Sequence, residues 1–237
     1  MALTDNLISY WSLEETSGTR VDAHSTNDLT DNNTVTPATG KIGTAASFVA
    51  ANSEYLSIAD NAALSMGDID FTIACWVYFD SLSWYEWVVA KDNGGSREYG
   101  IYYDPFDQRF KMYVFSGGSI TEEKADVLGL PSVSTWYFVV GWHDATNNTL
   151  NIQVNDGTVD SASYSAGVND ASAPFTVGTG TGGLYMDGRV DELGVWKRVL
   201  TSGERTELYN SGSGRDYAYI SGAGGPTYTL SGDAGAY

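Results

Sequence analysis

Along most of this chain, apolar residues alternate with polar ones or gather in short unbroken runs, as β-strands require. Residues 7–13 (LISYWSL) read as a first strand with Ile8, Tyr10 and Ser12 on one face. A long polar loop follows over residues 14–40, and then two short strands, GTAASFVA (43–50) and EYLSIA (54–59). FTIACWVYF (71–79) is apolar on both faces and is therefore expected at the centre of a sheet. WVVA (87–90) and YGIYY (99–103) pair across the turn-rich KDNGGSRE, and RFKMYVF (109–115) continues the sheet. WYFVVGWHD (136–144), LNIQVND (150–156), PFTVG (174–178) and a closing strand through Val190, Leu193, Val195 and Val199 complete the set. Roughly a dozen short strands at intervals of about ten residues predict an all-β fold, a two-sheet antiparallel sandwich.

One short helix is expected after the closing strand. Thr201 or Ser202 supplies an N-cap hydroxyl, Glu204 places a carboxylate in the first turn, and Gly212 and Gly214 end it. Residues 1–212 then form one domain. Residues 213–237 form a Gly/Tyr-rich tail or docking arm, whose tyrosines suit a partner surface or a neighbouring copy in a homo-oligomer.

Composition narrows the partners. The chain has 237 residues and 12 basic against 30 acidic side chains, a net charge of -18. Phosphate backbones require Lys and Arg, so nucleic acid is excluded as a natural partner, and anionic membranes are disfavoured for the same reason. No apolar run approaches the length of a membrane span, and the opening MALTDNLISYW lacks the basic and apolar regions of a signal peptide. The lone cysteine, Cys75, lies inside the most apolar run and reads as core.

Five stretches in order resemble laminin-G-like (concanavalin A-like lectin–glucanase) jelly-roll domains: LISYWSLEETSGTRVDAHSTNDLT, GKIGTAASFVAANSEYLSIAD, FTIACWVYFD, WYFVVGWHDATNNTLNIQVNDGTV and VDELGVWKRVLTSGERTELY. The resemblance implies a concanavalin A-like jelly roll over residues 5–212. It also implies a structural calcium ion between the opening loop and the closing strand, with Asp22, Asn27, Asp28 and Asp191 as ligands. Oxygen-only side chains suit calcium, although the same residue types also build Asx turns that bind nothing. Glu192, on the opposite face of an ideal strand, is expected at the surface or in a hydrogen bond.

Catalysis lacks a motif. No E-x-D-x-x-E or E-x-D-x-E pair is present for retaining glycoside hydrolysis, and His24 and His143 have no partner motif. No nucleophile elbow, metalloprotease helix or P-loop occurs. Exposed aromatics are the remaining chemistry. Trp84 and Tyr85 fall in a loop, and Tyr103 and Phe106 lie near a turn, where rings stack on sugar faces. Core packing is the competing use, as expected for Trp76, Trp136, Trp142 and Trp196. These readings converge on a non-catalytic structural or adhesion module of a virion or other extracellular surface, such as a phage capsid decoration, head-fibre or tail component. It would contact other surface proteins through the tail, and a surface polysaccharide. The alternative is a carbohydrate-binding lectin module, and a hydrolase or lyase comes third.

Overall fold

The computed structural model describes residues 1–223. Fifteen strands occur in the order β1 (Leu7–Trp11), β2 (Thr30–Asn32), β3 (Thr36–Thr39), β4 (Thr44–Phe48), β5 (Tyr55–Ile58), β6 (Phe71–Phe79), β7 (Glu86–Asp92), β8 (Arg97–Asp104), β9 (Arg109–Ser116), β10 (Ser119–Lys124), β11 (Trp136–Asp144), β12 (Thr149–Val154), β13 (Asp160–Ser163), β14 (Phe175–Val177) and β15 (Gly188–Trp196). They form two antiparallel sheets. The first has the order β13-β12-β11-β6-β15-β4-β3, with β1 also on β15. The second has the order β10-β9-β8-β7-β14-β5-β2. This is the expected jelly-roll sandwich, with FTIACWVYF central between β11 and β15.

Strand alternation fills the space between the sheets. Phe71, Ile73, Cys75, Val77 and Phe79 of β6 meet Tyr99, Ile101 and Tyr103 of β8 and Phe110, Met112 and Val114 of β9. Each large apolar side chain removed from water contributes about 2–3 kcal/mol. Burial also pushes the Cys75 thiol far above its ordinary range, so it is an inert core group.

The two outer faces differ, and that difference positions the site. The outer face of the first sheet carries Ala74, Trp76, Phe138, Val140, Trp142 and Trp196. It is covered by helix α1 (Ser202–Tyr209), by Leu3 near the N-terminus and by Ile220 of helix α2 (Tyr217–Ile220). β6 is therefore apolar on both faces because both are buried. The outer face of the second sheet carries a smaller cluster, Trp87, Ala90, Tyr102 and Tyr113, and among the described residues no helix covers it.

Helix α1 starts as expected. The Thr201 hydroxyl accepts from the Glu204 N–H, and the Glu204 carboxylate accepts from the Thr201 N–H, a complete capping box. It ends earlier than the glycines suggested, at Asn210 in the left-handed conformation (φ 48°). The nearer part of the expected tail does not stand free. Tyr217 packs on Tyr10 at a centroid distance of 5.4 Å, and Ile220 is buried. The rest of the tail expectation falls on residues 224–237, outside the described residues.

Strand period fails at one informative place. β15 pairs Asp191 with Trp76 but Gly194 with Ala74, so one extra residue is inserted as a β-bulge. Glu192 sits in it with φ 48°. Glu192, expected at the surface or in a hydrogen bond, is not at the surface: it is 4 % exposed, beside the fully buried Asp191 and against Tyr10, Trp76 and Trp196 of the covered outer face.

Candidate functional site

The open face of the second sheet is built from consecutive hairpins, β7–β8, β8–β9 and β9–β10. Alternation sends Tyr99, Ile101 and Tyr103 into the core and leaves Gly100 and Tyr102 outward. Tyr102 stacks on Trp87 at 4.6 Å, and Tyr113 meets Trp87 edge-on at 5.6 Å. Two glycines make room for this floor. A Cβ at Gly100 would lie 2.6 Å from the Tyr113 ring, and one at Gly180 would lie 2.3 Å from the Trp87 ring. The result is a groove of about 330 Å³ over these three rings, walled by Tyr85, Ile120, Leu184 and Thr181, with Asp92, Arg97 and Glu122 as its charged groups.

Its polar groups are held in place. The Tyr113 hydroxyl donates to Asp92 Oδ2 at 2.7 Å, and the Gly94 N–H donates to Asp92 Oδ1. Arg97 Nε stands 3.5 Å from the same carboxylate, and Arg97 Nη2 donates to Thr181 Oγ1 at 2.9 Å. The Tyr102 hydroxyl donates to Glu122, whose other oxygen accepts from Lys111 Nζ at 3.1 Å. Burial and the adjoining carboxylates raise both phenols well above their ordinary range, so each stays a proton donor to its acid. Lys111 is held by Asp104, Asp107 and Glu122 together. Burial pulls its ammonium down, and the three acids outweigh this and push it up.

The residues expected to bind a glycan are only partly brought together. Trp84, Tyr85 and Phe106 form one cluster, with centroids 5.7–5.9 Å apart. Tyr85 joins it to the groove through Tyr102 at 6.1 Å. Trp84 and Phe106 are exposed, at 52 % and 73 %. Tyr103 is a correction. It is buried between the sheets against Phe79 and cannot meet a ligand, because in a tyrosine doublet only one ring points outward. Trp87, Tyr102 and Tyr113, the actual floor, lie within or at the end of predicted strands, where alternation alone does not tell which sheet face is left open.

The expected calcium ligands were Asp22, Asn27, Asp28 and Asp191, and each has hydrogen-bond partners within the protein. Asp22 spends Oδ1 on the N–H groups of Tyr10, His24 and Ser25, and Oδ2 on that of Asn27. Asp28 accepts from the Asp22 N–H. The Asn27 side chain is bound to Ser9 and Asn61. Asp191 Oδ2 accepts from the N–H groups of Lys41 and Ile42. Among the described residues, no group of three or more His, Cys, Asp or Glu side chains is arranged to hold a metal. The loop is an Asx-type structure closed by its own backbone donors. His143 is buried with Nδ1 at 3.0 Å from the Ile69 carbonyl, and His24 Nδ1 meets the Tyr217 hydroxyl.

A family model described as the concanavalin A-like lectin/glucanases superfamily matches residues 50–204. The chain belongs to this superfamily. No curated protein sequence matches it significantly. Among solved structures, the binding domain of Paraclostridial Mosquitocidal Protein 1 is similar at a TM-score of 0.71 and 16 % identity, over 88 % of this chain and 53 % of that one. The chain thus spans about half the length of that binding domain. Domain 4 of AbnA, an extracellular arabinanase from Geobacillus stearothermophilus, solved with arabinotriose, matches at a TM-score of 0.65 and 19 % identity, over 85 % and 97 % of the two chains. The binding domain of Botulinum Neurotoxin DC, solved with SialylT, matches at 0.64 and 12 %, over 88 % and 52 %. These likenesses establish the shared fold. Among the described residues, no helix is long and apolar enough to cross a membrane.

Proposed function

We propose that this chain is a non-catalytic glycan-binding module that seats its ligand in the groove over Trp87, Tyr102 and Tyr113. One observation carries the reading: the sheet face that no helix covers among the described residues bears a packed aromatic floor edged by pre-positioned carboxylates. Aromatic rings stack on the apolar face of a sugar ring, and carboxylates accept from its hydroxyls. Rings held by packing lose little entropy on binding. Relatives of this fold solved with arabinotriose and with SialylT give the reading further support. The partners of Asp92 and Glu122 support binding rather than hydrolysis. Each is already tied to a phenol and faces a cation, which suits a fixed acceptor better than a travelling proton.

Tyr85→Ala tests the groove, because Tyr85 is half-exposed on its wall and its removal spares the core. On a broad glycan array the chain should bind, and Tyr85→Ala should weaken that binding by roughly tenfold, the worth of one stacked ring. Absence of binding on the array, or binding indifferent to Tyr85→Ala, would remove this function. An adhesive role at a virion or other surface, the setting read from the sequence, is a narrower proposal. Co-sedimentation of the full chain with particles, and its oligomeric state by ultracentrifugation, test that role.

A further inference from the structure

We infer that the groove accepts neutral, hydroxyl-rich saccharides and rejects sialylated and uronate-containing ones. This rests on the groove being the binding site, and it adds the chemical class of the ligand. A sugar carboxylate is normally received by an arginine with its donor fork free. Among the described residues, Arg97 is the cation on the groove lining, and its charge already faces an acid. Nε faces Asp92 at 3.5 Å, and Nη2 donates to Thr181. Drawing Arg97 towards an anionic ligand would leave the Asp92 carboxylate, 2 % exposed, without its counter-charge, and an uncompensated buried charge is costly.

The other edge of the groove is no better suited to an anion. The Lys111 ammonium lies 2.8 Å from Asp104, 2.7 Å from Asp107 and 3.1 Å from Glu122, so three acids surround one base. Glu123 and Asp126 flank this cluster. An incoming carboxylate meets Glu122 beside a lysine already held by three acids, on a chain whose net charge is -18. A hydroxyl meets the opposite situation. Each oxygen of Glu122 holds one hydrogen bond and keeps a second lone pair, and hydroxyl-to-carboxylate bonds are the strong, charge-assisted kind.

The test is an array of matched pairs, each neutral glycan beside its sialylated or uronate counterpart, probed with the full chain at low and high salt. The neutral member of each bound pair should bind at least roughly tenfold more tightly, with little change on adding salt. Residual binding of the acidic member should rise as salt screens the repulsion. Glu122→Gln should narrow the gap between the members. Tighter binding of the acidic members that salt weakens would overturn this inference. If that binding were still lost in Tyr85→Ala, the groove itself would stand as the site. Failure to bind either member of any pair would overturn the groove reading and this inference together.

Discussion

Asp22 collects four backbone N–H groups on its two carboxylate oxygens, from Tyr10, His24, Ser25 and Asn27. Such a residue is a structural keystone of its loop by hydrogen bonding alone. Asp22→Ala would strand donors in a region where Asp22 is 4 % exposed. It should cost about 3 kcal/mol in chemical denaturation, several unsatisfied donors at 1–3 kcal/mol each being softened by relaxation. The loss should be the same with and without chelator. A loss that appears only when calcium is present would restore the ion to this loop. From sequence, Asp22 was legible as important, but its four backbone donors were not, since carboxylates that bind calcium and carboxylates that cap turns are spelled alike. The tyrosine doublet shows the same limit at the site. Tyr102 and Tyr103 differ only in strand parity, and parity depends on bulges such as the register shift between Trp87 and Val89 on the neighbouring strand.

Elements with an apolar face were readable in the sequence, and polar edge elements were not. β6, β8, β9 and β11 follow directly from alternation. β2, β3, β10 and β13 were missed because they are short, largely exposed and pair on one side only. The groove could not be read because it depends on which sheet face α1 covers, a fact of tertiary structure. Attachment of α1 is itself concentrated in Glu204. One of its oxygens accepts from the Thr201 N–H, the Thr201 hydroxyl and Arg198 Nη1 at 2.7 Å. Arg198 in turn donates to the carbonyls of Asp5 and Ala2, tying the helix to the N-terminus. Glu204→Ala leaves Arg198 buried and unpaired and should cost about 3 kcal/mol. Thr201→Ala removes only the cap hydroxyl and should cost about 1 kcal/mol. Equal losses in urea denaturation would mean that the ion pair adds nothing beyond the cap.

At the scale of the whole molecule, the excess of acids meets a fold that buries some of them. Burial pushes the Glu86 carboxyl up to about 8, against a compensating hydrogen bond from the Asp187 N–H and with added repulsion from the Asp187 carboxylate. Burial raises Asp191 to about 7 and Glu192 to about 9 in the same direction. Each folded-state value lies above that of the unfolded chain, so the folded protein binds more protons across the interval between them. The stabilisation from the neutral carboxyl is therefore complete below about pH 4.5 and is lost as pH rises through the folded values, from about 7 to 9. Thermal unfolding should accordingly occur at lower temperature at pH 9 than at pH 5, by the equivalent of about 2–4 kcal/mol after allowance for relaxation around the buried groups. Glu86→Gln keeps the acceptor for the Asp187 N–H and cannot ionise, so it should remove part of that fall while leaving stability at pH 5 nearly unchanged. A melting temperature that rises from pH 5 to pH 9, or a Glu86→Gln profile parallel to that of the parent, would show that Glu86 is ionised in the fold.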